Sequence, residues 1–201
     1  ILCRELEADL AFGYKKKDAL DLSELHGRII NLKSESSLPF WRTFKRFHSF
    51  YRGTNFLSSY QNVIYTGQNS PLAVSNHPKG KNIYYCFTPP RSIYDLKETH
   101  LESQPPIGKL THALYSSAFK LLYENAIRKM DVIVADSKNV QNRIQKFLGL
   151  ESTVIYPPCD IDKFFWMGQE NYYLSTARLA PYKRVDMIIQ AFTQLPEKCL
   201  I

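Results

Sequence analysis

The order of apolar and polar residues predicts alternating helices and strands. Leu2, Leu6 and Leu10 recur at helical spacing within residues 1–12, and a weaker helical pattern covers residues 22–30. Longer helical patterns lie at 39–51, 110–129, 139–148 and 182–195. Short apolar runs predict strands at 62–65, 82–86, 131–135, 153–156 and 171–176. Two of these runs, 82–86 and 131–135, are apolar without alternation, which is typical of parallel strands covered on both faces.

Two helix predictions come with local detail. In the helix 110–129, the side predicted to be buried carries five apolar residues, namely Leu114, Ala118, Leu121, Leu122 and Ala126. Ser137 precedes the helix 139–148 and is predicted to be its N-cap, while Gly149 follows it at the C′ position. The chain is therefore predicted to be an α/β protein with a parallel sheet.

Changes in this pattern predict the domain organisation. Residues 1–158 are predicted to form one α/β domain, which ends at Pro157-Pro158. Residues 159–170 have no clear period and are predicted to be a linker, and 171–201 to begin a second domain. The last residues, 198–201, have the pattern of a strand that has only begun, so we expect the chain to be part of a longer protein.

Composition excludes several classes of protein. Of 201 residues, 44% are hydrophobic and 22% charged, which excludes a disordered, collagen-like or coiled-coil chain. The four cysteines contain no CxxC pair, which favours free thiols in a reducing compartment over a zinc site or a disulfide framework. No apolar stretch approaches the roughly 20 residues of a membrane-spanning helix. The net charge of +7 is compatible with phosphate, nucleic acid or an anionic membrane as partner.

The segment 175–186, Ser-Thr-Ala-Arg-Leu-Ala-Pro-Tyr-Lys-Arg-Val-Asp, carries the clearest candidate chemistry. A predicted strand ends near Thr176 and a predicted helix begins near Tyr182, and ligands bind at such strand ends in open α/β sheets. Arg178 and Lys183 oppose the dipole of that helix, which is easier to explain if an anion lies between them. The alternative is a solvated basic turn without a ligand.

Several segments together resemble family 4 of the retaining glycosyltransferases, which have the GT-B fold of two Rossmann-like domains. The segment 177–186 resembles the family's donor-binding signature, and 153–160 resembles its "VIYPPVD" linker. Residues 131–137 resemble the last strand of its N-terminal domain, and 84–91 resemble the "YYCHTPPR" segment of a mannosyltransferase-like branch. The resemblance covers about residues 62–201.

The resemblance implies transfer of a sugar, with mannose expected, from a nucleotide diphosphate sugar to a glycan or lipid-linked acceptor, with retention and without a metal. Arg178 and Lys183 match the family residues that hold the donor diphosphate. The implied fold is a Rossmann-like N-terminal domain plus the first βα unit of a second one. The nucleotide sugar would be a substrate rather than a cofactor, and no catalytic residue is identified.

Two departures limit what the resemblance implies. Phe87 stands where the branch usually has His, and a phenyl ring cannot hydrogen-bond a sugar hydroxyl. The family's Glu-x7-Glu pair, which contacts the donor, would lie beyond Ile201. We therefore expect this segment alone to be inactive, and a non-catalytic GT-B relative remains an alternative.

Four residues near strand ends are candidates for a cleft. Thr88, Arg91 and Asp95 follow the predicted strand 82–86, although Arg91 and Asp95 are equally explained as a local ion pair. Ser137 follows the strand 131–135, although the role of N-cap is sufficient to explain it. The five histidines show no metal-ligand spacing, and no metal is expected.

The helix 39–51 is both aromatic and basic. Phe40, Phe44, Phe47 and Tyr51 are predicted to share one face, largely separate from its basic residues, namely Arg42, Lys45, Arg46 and Arg52. Such a helix can lie in a membrane interface, with Trp41, Phe44 and Phe47 as contacts. Alternatively, the aromatic residues pack on the sheet and the basic ones are solvated.

Other classes of function fit less well. A nucleic-acid-binding protein would carry a basic stripe with interleaved aromatic residues, which only 41–52 approach, so no nucleic acid is expected. An NAD-dependent enzyme would carry GxGxxG, which is absent. The expected location is cytoplasmic, with peripheral contact at the inner face of the membrane.

Overall fold

Helices and parallel strands alternate along the computed structural model, which describes residues 2–15, 22–23, 25–102, 105–180 and 183–201. Its strands are β1 (Leu10–Phe12), β2 (Ile29–Asn31), β3 (Asn62–Thr66), β4 (Lys81–Cys86), β5 (Val132–Ala135) and β6 (Thr153–Val154). Its α-helices are α1 (Leu2–Glu5), α2 (Pro39–Arg52), α3 (Lys97–Glu102), α4 (Pro106–Ile127), α5 (Lys138–Leu148) and α6 (Val185–Thr193). The architecture is α/β, as the sequence predicts.

The main sheet has the strand order β3-β4-β5-β6, and every neighbouring pair is parallel. In its register Tyr84 lies between Tyr65 and Ile133. A separate two-stranded parallel sheet pairs β1 with β2. Parallel strands joined in sequence order by helices are compatible with a Rossmann-like arrangement.

The core lies between the main sheet and the helices that connect its strands. Tyr84 of β4 and Tyr123 of α4 are its largest fully buried side chains, and their hydroxyl oxygens lie 3.0 Å apart in a hydrogen bond. Burial raises the pKa of both phenols, so both stay neutral. The bond satisfies two polar groups that would otherwise be costly to bury.

The buried side of α4 differs from the predicted one. Leu114 and Leu121 are more than 60% exposed and Ala118 is exposed, whereas Ala126 is buried and Leu122 packs against the core. The buried positions also include Ser116, Phe119, Tyr123 and Ile127. Phe119 and Tyr123 stack with ring centroids 5.9 Å apart. Aromatic rings bury more apolar area than leucines, which favours the orientation that places them inside.

The predictions for the first 30 residues were largely wrong. The predicted helix 1–12 contains only α1 and then β1, and the described part of 22–30 is not helical but leads into β2. Asp9 explains this, because its carboxylate accepts hydrogen bonds from the backbone N–H and the guanidinium of Arg28, at 2.7 and 2.9 Å, and from the Tyr60 hydroxyl. These long-range bonds clamp β1 beside β2 and override the local helical spacing.

The predicted ends of α5 are confirmed. Ser137 accepts a hydrogen bond from the backbone N–H of Val140 at 3.3 Å, as an N-cap does. Gly149 follows the helix in the left-handed region with φ of 65°, where a side chain would be strained. Val140, Ile144 and Leu148 point from this helix into the core.

A buried polar network shapes the turn before β4. The imidazole nitrogens of His77 lie 2.8 Å from Asn82 Oδ1 and 2.8 Å from the Tyr60 carbonyl oxygen. The Asn82 amide donates to the carbonyls of His77 and Gly80, at 3.2 and 3.1 Å. No room remains at Gly80, where a Cβ atom would overlap the His77 ring and approach the Gln61 carbonyl oxygen to 2.6 Å.

The chain divides into two compact units, Ile1–Pro158 and Cys159–Ile201. The second unit contains α6, and Tyr173 before the helix forms a parallel bridge with Leu200 after it. The predicted strand 171–176 is thus reduced to one bridge. The predicted helix 182–195 begins at Val185, and Tyr182 lies outside the described residues. None of the helices in the described ranges is long and apolar enough to cross a membrane.

Candidate functional site

The carboxyl ends of the main strands bring several candidate residues to one edge of the sheet. Because all four strands run in the same direction, Phe87 and Thr88 after β4 lie at the same edge as Ser137 after β5. Tyr156, which is exposed, follows β6 at this edge. In open α/β sheets this is the edge where ligands bind.

Arg143 of α5 ties the segment after β4 to the helix. Its guanidinium donates to both carboxylate oxygens of Asp95, at 2.7 and 3.0 Å, and to the Thr88 hydroxyl oxygen at 3.2 Å. Arg91 also donates to Asp95, at 3.2 Å, so the predicted local ion pair exists. Thr88, Arg91 and Asp95 are therefore brought together, by a residue that was not a sequence candidate.

The hydrogen bonds from Arg143 determine the charge of Asp95. They lower the pKa of the Asp95 carboxyl from 3.8 to about 2, with further contributions from the charges of Arg143 and Arg91. The same bonds raise the pKa of the Arg143 guanidinium. Asp95 is thus a carboxylate at any physiological pH and is unsuited to act as a general acid. Its place in the cluster indicates that it positions the segment 88–95.

The Ser137 hydroxyl makes hydrogen bonds to residues close to it in sequence. Besides capping α5, its hydroxyl donates to the Asp136 carboxylate at 2.9 Å. Ser137 therefore has the N-cap role that was predicted from the sequence. It also lies at the same edge of the sheet as Thr88.

Phe87 presents an aromatic ring at the end of β4. Its side chain is 47% exposed, and its ring packs edge-on against Tyr85 with centroids 5.2 Å apart. Tyr85 is held in turn by a hydrogen bond from its hydroxyl to the Ile155 carbonyl oxygen, at 2.9 Å. The ring at position 87 therefore rests on a fixed support and leaves much of its surface open.

Arg178 and Lys183 lie in the second unit, in the loop between Tyr173 and α6. Both are exposed. The backbone of this loop turns tightly, because Ala180 N–H donates to the Arg178 carbonyl at 2.7 Å and Lys183 N–H to the Ala180 carbonyl at 2.8 Å. A helix beginning near Tyr182, as predicted, would have placed Lys183 in its first turn. Lys183 instead precedes the first residue of α6 by two positions. Pro181 and Tyr182 lie outside the described residues.

Arg184 has a different role from Arg178 and Lys183 in this loop. Its guanidinium donates to the Asp186 carboxylate at 3.2 Å, and the bond lowers the pKa of Asp186. Arg184 also adopts a left-handed backbone conformation with φ of 50° directly before α6. Its charge is thus paired within the loop, whereas Arg178 has no ion-pair partner among the described residues. A shallow pocket adjoins this turn, lined by Leu179, Ala180, Arg184, Val185 and Asp186.

The aromatic residues of α2 divide between two faces. Trp41 and Phe44 are about half exposed, whereas Phe47 packs against the core together with Phe50 and Tyr51. Phe44 and Phe47 are thus not on one exposed face, and Phe47 is a packing residue. The side chain of Phe40 lies outside the described residues.

Thiols and metal ligands add no further site in the described part of the chain. The cysteines are free thiols, and Cys86 is fully buried, which raises its pKa to about 11. No group of three or more His, Cys, Asp or Glu side chains in the described ranges is arranged to hold a metal ion.

Two residues that the structure brings to this region were not among the sequence candidates, and neither carried a specific signal. Arg143 lies on the predicted helix 139–148 but carried no motif, and only the tertiary arrangement brings it to Thr88. Tyr156 was noted as part of a strand and not as a site residue.

Comparisons with known proteins leave the family open. No protein-family model matches the chain, and no curated protein matches it.

Proposed function

We propose that the protein is a retaining glycosyltransferase of GT-B type, which transfers a hexose, with mannose expected, from a nucleotide diphosphate sugar to a glycan or lipid-linked acceptor. The observation that carries the proposal is the position of Arg178 and Lys183. They lie in a tight loop between a segment in parallel pairing and the start of α6. Loops of this kind at strand ends bind ligands in open α/β folds.

The two cations have a specific electrostatic task in this proposal. When the bond between the anomeric carbon and the diphosphate oxygen breaks, negative charge builds up on the leaving diphosphate. Arg178 would hold it by a planar fork of donors and Lys183 by a point charge. Charges placed in advance where negative charge develops lower the barrier. Arg184 is not assigned this task because Asp186 neutralises it.

The first unit supplies the acceptor side in this proposal. Thr88, Arg91, Asp95 and Ser137 lie at or near the carboxyl edge of the main sheet, and Arg143 holds the segment 88–95 in place. Phe87 offers an apolar surface where the resembled branch has a hydrogen-bonding ring. We expect it to contact an apolar face of a sugar or a lipid chain. The proposed location is the cytoplasm, at the inner face of the membrane.

The proposed donor site can be tested by calorimetric titration of nucleoside diphosphates into the full-length protein. Arg178→Ala and Lys183→Ala are expected to weaken binding by about 1.5–3 kcal/mol each, the scale of a hydrogen bond to a charged group. Arg128→Ala and Lys198→Ala remove the same charges at exposed positions elsewhere and serve as matched controls.

Three outcomes are informative. A loss confined to the variants of 178 and 183 supports the phosphate role. Equal, small losses in all four variants indicate general attraction by the net charge and contradict it. Tight diphosphate binding without sugar transfer to any acceptor would indicate a non-catalytic relative. Phe87, which replaces the hydrogen-bonding His of the resembled branch, is the observation that favours this alternative.

A further inference from the structure

Helix α2 has one side that the fold leaves open. Phe47, Phe50 and Tyr51 pack against the core and hold the helix to the first unit. On the opposite side, Trp41 is 51% and Phe44 is 50% exposed. His48, one turn after Phe44, is exposed as well. Spacings of three and four residues place these three rings in one row along the helix.

Cations flank this row, and α2 itself carries no anion. Arg42, Lys45 and Arg52 are exposed on the same open side of α2. Residues 39–52 contain no Asp or Glu. The aromatic row and the adjacent cations thus form a surface, here called the α2 face, with an apolar sector beside a positive one. A contiguous exposed apolar surface marks an interaction site more often than apolar residues scattered singly.

We propose that the α2 face docks the protein on an anionic lipid bilayer. Trp and Phe would enter the boundary between headgroups and acyl chains, which suits rings with an apolar body. Arg42, Lys45 and Arg52 would lie at the level of the lipid phosphates, where each cation adds attraction to an anionic surface. The charge of the helix is complementary to that surface. The inference depends on α2 alone and not on the proposed transferase activity.

The packing of the rings favours a bilayer over single-stranded nucleic acid. Trp41 and Phe44 contact edge to face, with centroids 5.6 Å apart, and Phe44 stacks on His48 at 6.3 Å. These contacts fix the rings against one another along the helix rather than spacing them as separate platforms for successive bases, which single-strand binding uses. A bilayer needs only a continuous apolar row, which this packing provides.

Tryptophan fluorescence gives a direct test, because the chain has two tryptophans. A Trp166→Phe variant leaves Trp41 as the reporter on the α2 face, and a Trp41→Phe variant leaves Trp166 as the reporter of an exposed aromatic segment in the second unit. The probes are vesicles of phosphatidylcholine alone and of phosphatidylcholine mixed with phosphatidylglycerol. We expect the Trp41 emission to shift to the blue and to be quenched by brominated lipid, with the mixed vesicles only.

Co-sedimentation with the same vesicles tests which residues bind. Trp41→Ser combined with Phe44→Ser is expected to weaken binding at least ten-fold, at unchanged circular dichroism. Leu114→Ser combined with Leu121→Ser is the matched control, because both leucines are apolar and exposed on α4. Arg42→Gln and Lys45→Gln are each expected to weaken binding about five-fold at low salt, which corresponds to about 1 kcal/mol per cation.

Several results would overturn the proposal. Equal binding to vesicles with and without phosphatidylglycerol would contradict the proposed role of the cations. Equal losses in the Trp41/Phe44 and Leu114/Leu121 variants would indicate nonspecific adhesion. Insertion reported by Trp166 and not by Trp41 would move the contact to the second unit. Displacement from vesicles by a single-stranded oligonucleotide, lost in the Trp41/Phe44 variant, would assign the α2 face to nucleic acid.

Discussion

Replacing Arg143 by Met is expected to destabilise the first unit and loosen the segment after β4. The guanidinium makes two bonds to Asp95 and one to Thr88, and the side chains of Arg143 and Asp95 are only 17% and 23% exposed. Met preserves the apolar stem but removes all three bonds. It leaves Arg91 as the remaining cation beside Asp95.

The expected loss is about 2 kcal/mol in the free energy of unfolding. Exposed ion pairs contribute about 0–1 kcal/mol, and breaking a fully buried one costs about 3–5 kcal/mol. The Arg143–Asp95 pair lies between these limits. The lowered pKa of Asp95 leads to a similar figure, since one pKa unit corresponds to about 1.4 kcal/mol and partial exposure screens some of it. For a chain of this size, 2 kcal/mol lowers Tm by roughly 4–8 °C.

The assay is urea unfolding at several pH values, monitored by circular dichroism. The pKa of Asp95 is lower in the folded protein than its ordinary value of 3.8, so its contribution is fully present above pH 3.8. The contribution is lost as pH falls from 3.8 toward 2. The difference between the parent protein and Arg143→Met should therefore be constant from pH 7 to 5 and shrink below pH 4.

Controls separate the ion pair from packing. Asp95→Asn should lose a similar amount at pH 7, and adding Arg143→Met to it should cost little more, because the pair is already broken. Arg128→Met, at an exposed position after α4, should change stability by less than about 0.5 kcal/mol. A loss for Arg143→Met that stays the same down to pH 3, or that adds fully to that of Asp95→Asn, would refute the assigned role.

Two further predictions concern the same unit. Gly80→Ala is expected to cost at least about 2 kcal/mol, because its Cβ would overlap the His77 ring and lie 2.6 Å from the Gln61 carbonyl oxygen; that ring is packed with its nitrogens 2.8 Å from Asn82 Oδ1 and from the Tyr60 carbonyl oxygen. Thermal unfolding measures this, with Lys79→Ala in the same turn as control, and equal Tm values for the two variants would contradict it. Cys86 is expected to react with an aromatic disulfide reagent only on unfolding, because it is fully buried and its thiol pKa is raised to about 11. Exposed Cys159 and Cys199 should react at once in the native protein, and a Cys86→Ala variant that loses a fast-reacting thiol would show the expectation to be wrong.

Local chemistry was sufficient to predict the middle of the chain. The strands at 62–66, 81–86 and 132–135 and the helices α2 and α5 lie where the apolar runs and caps placed them. Ser137 and Gly149 act within a few residues of themselves, so their roles can be predicted from neighbours in sequence. The parallel α/β architecture followed from the same runs. Arg178 was predicted to lie in a loop before a helix, and it does. Lys183 was predicted to lie in the first helical turn but precedes α6, and the phosphate role of both residues stays a prediction.

Long-range contacts decided the features that were mispredicted or missed. A helix pattern at residues 1–12 gave way to strand pairing because Asp9 bonds to Arg28 and Tyr60. The choice of buried face on α4 depended on whether Tyr123 could meet Tyr84, a partner 39 residues away.

Residue types and short-range spacing determine which segments become helices and strands, because propensity and capping act over a few residues. They do not determine which side of a helix faces the core when both sides carry large apolar or aromatic residues, as in α2 and α4. That choice depends on the shape and hydrogen-bonding partners of the opposing surface, which exist only after folding. The tertiary structure alone therefore packed Phe47 against the core, left Trp41 and Phe44 exposed, and brought Arg143 to Thr88 and Asp95.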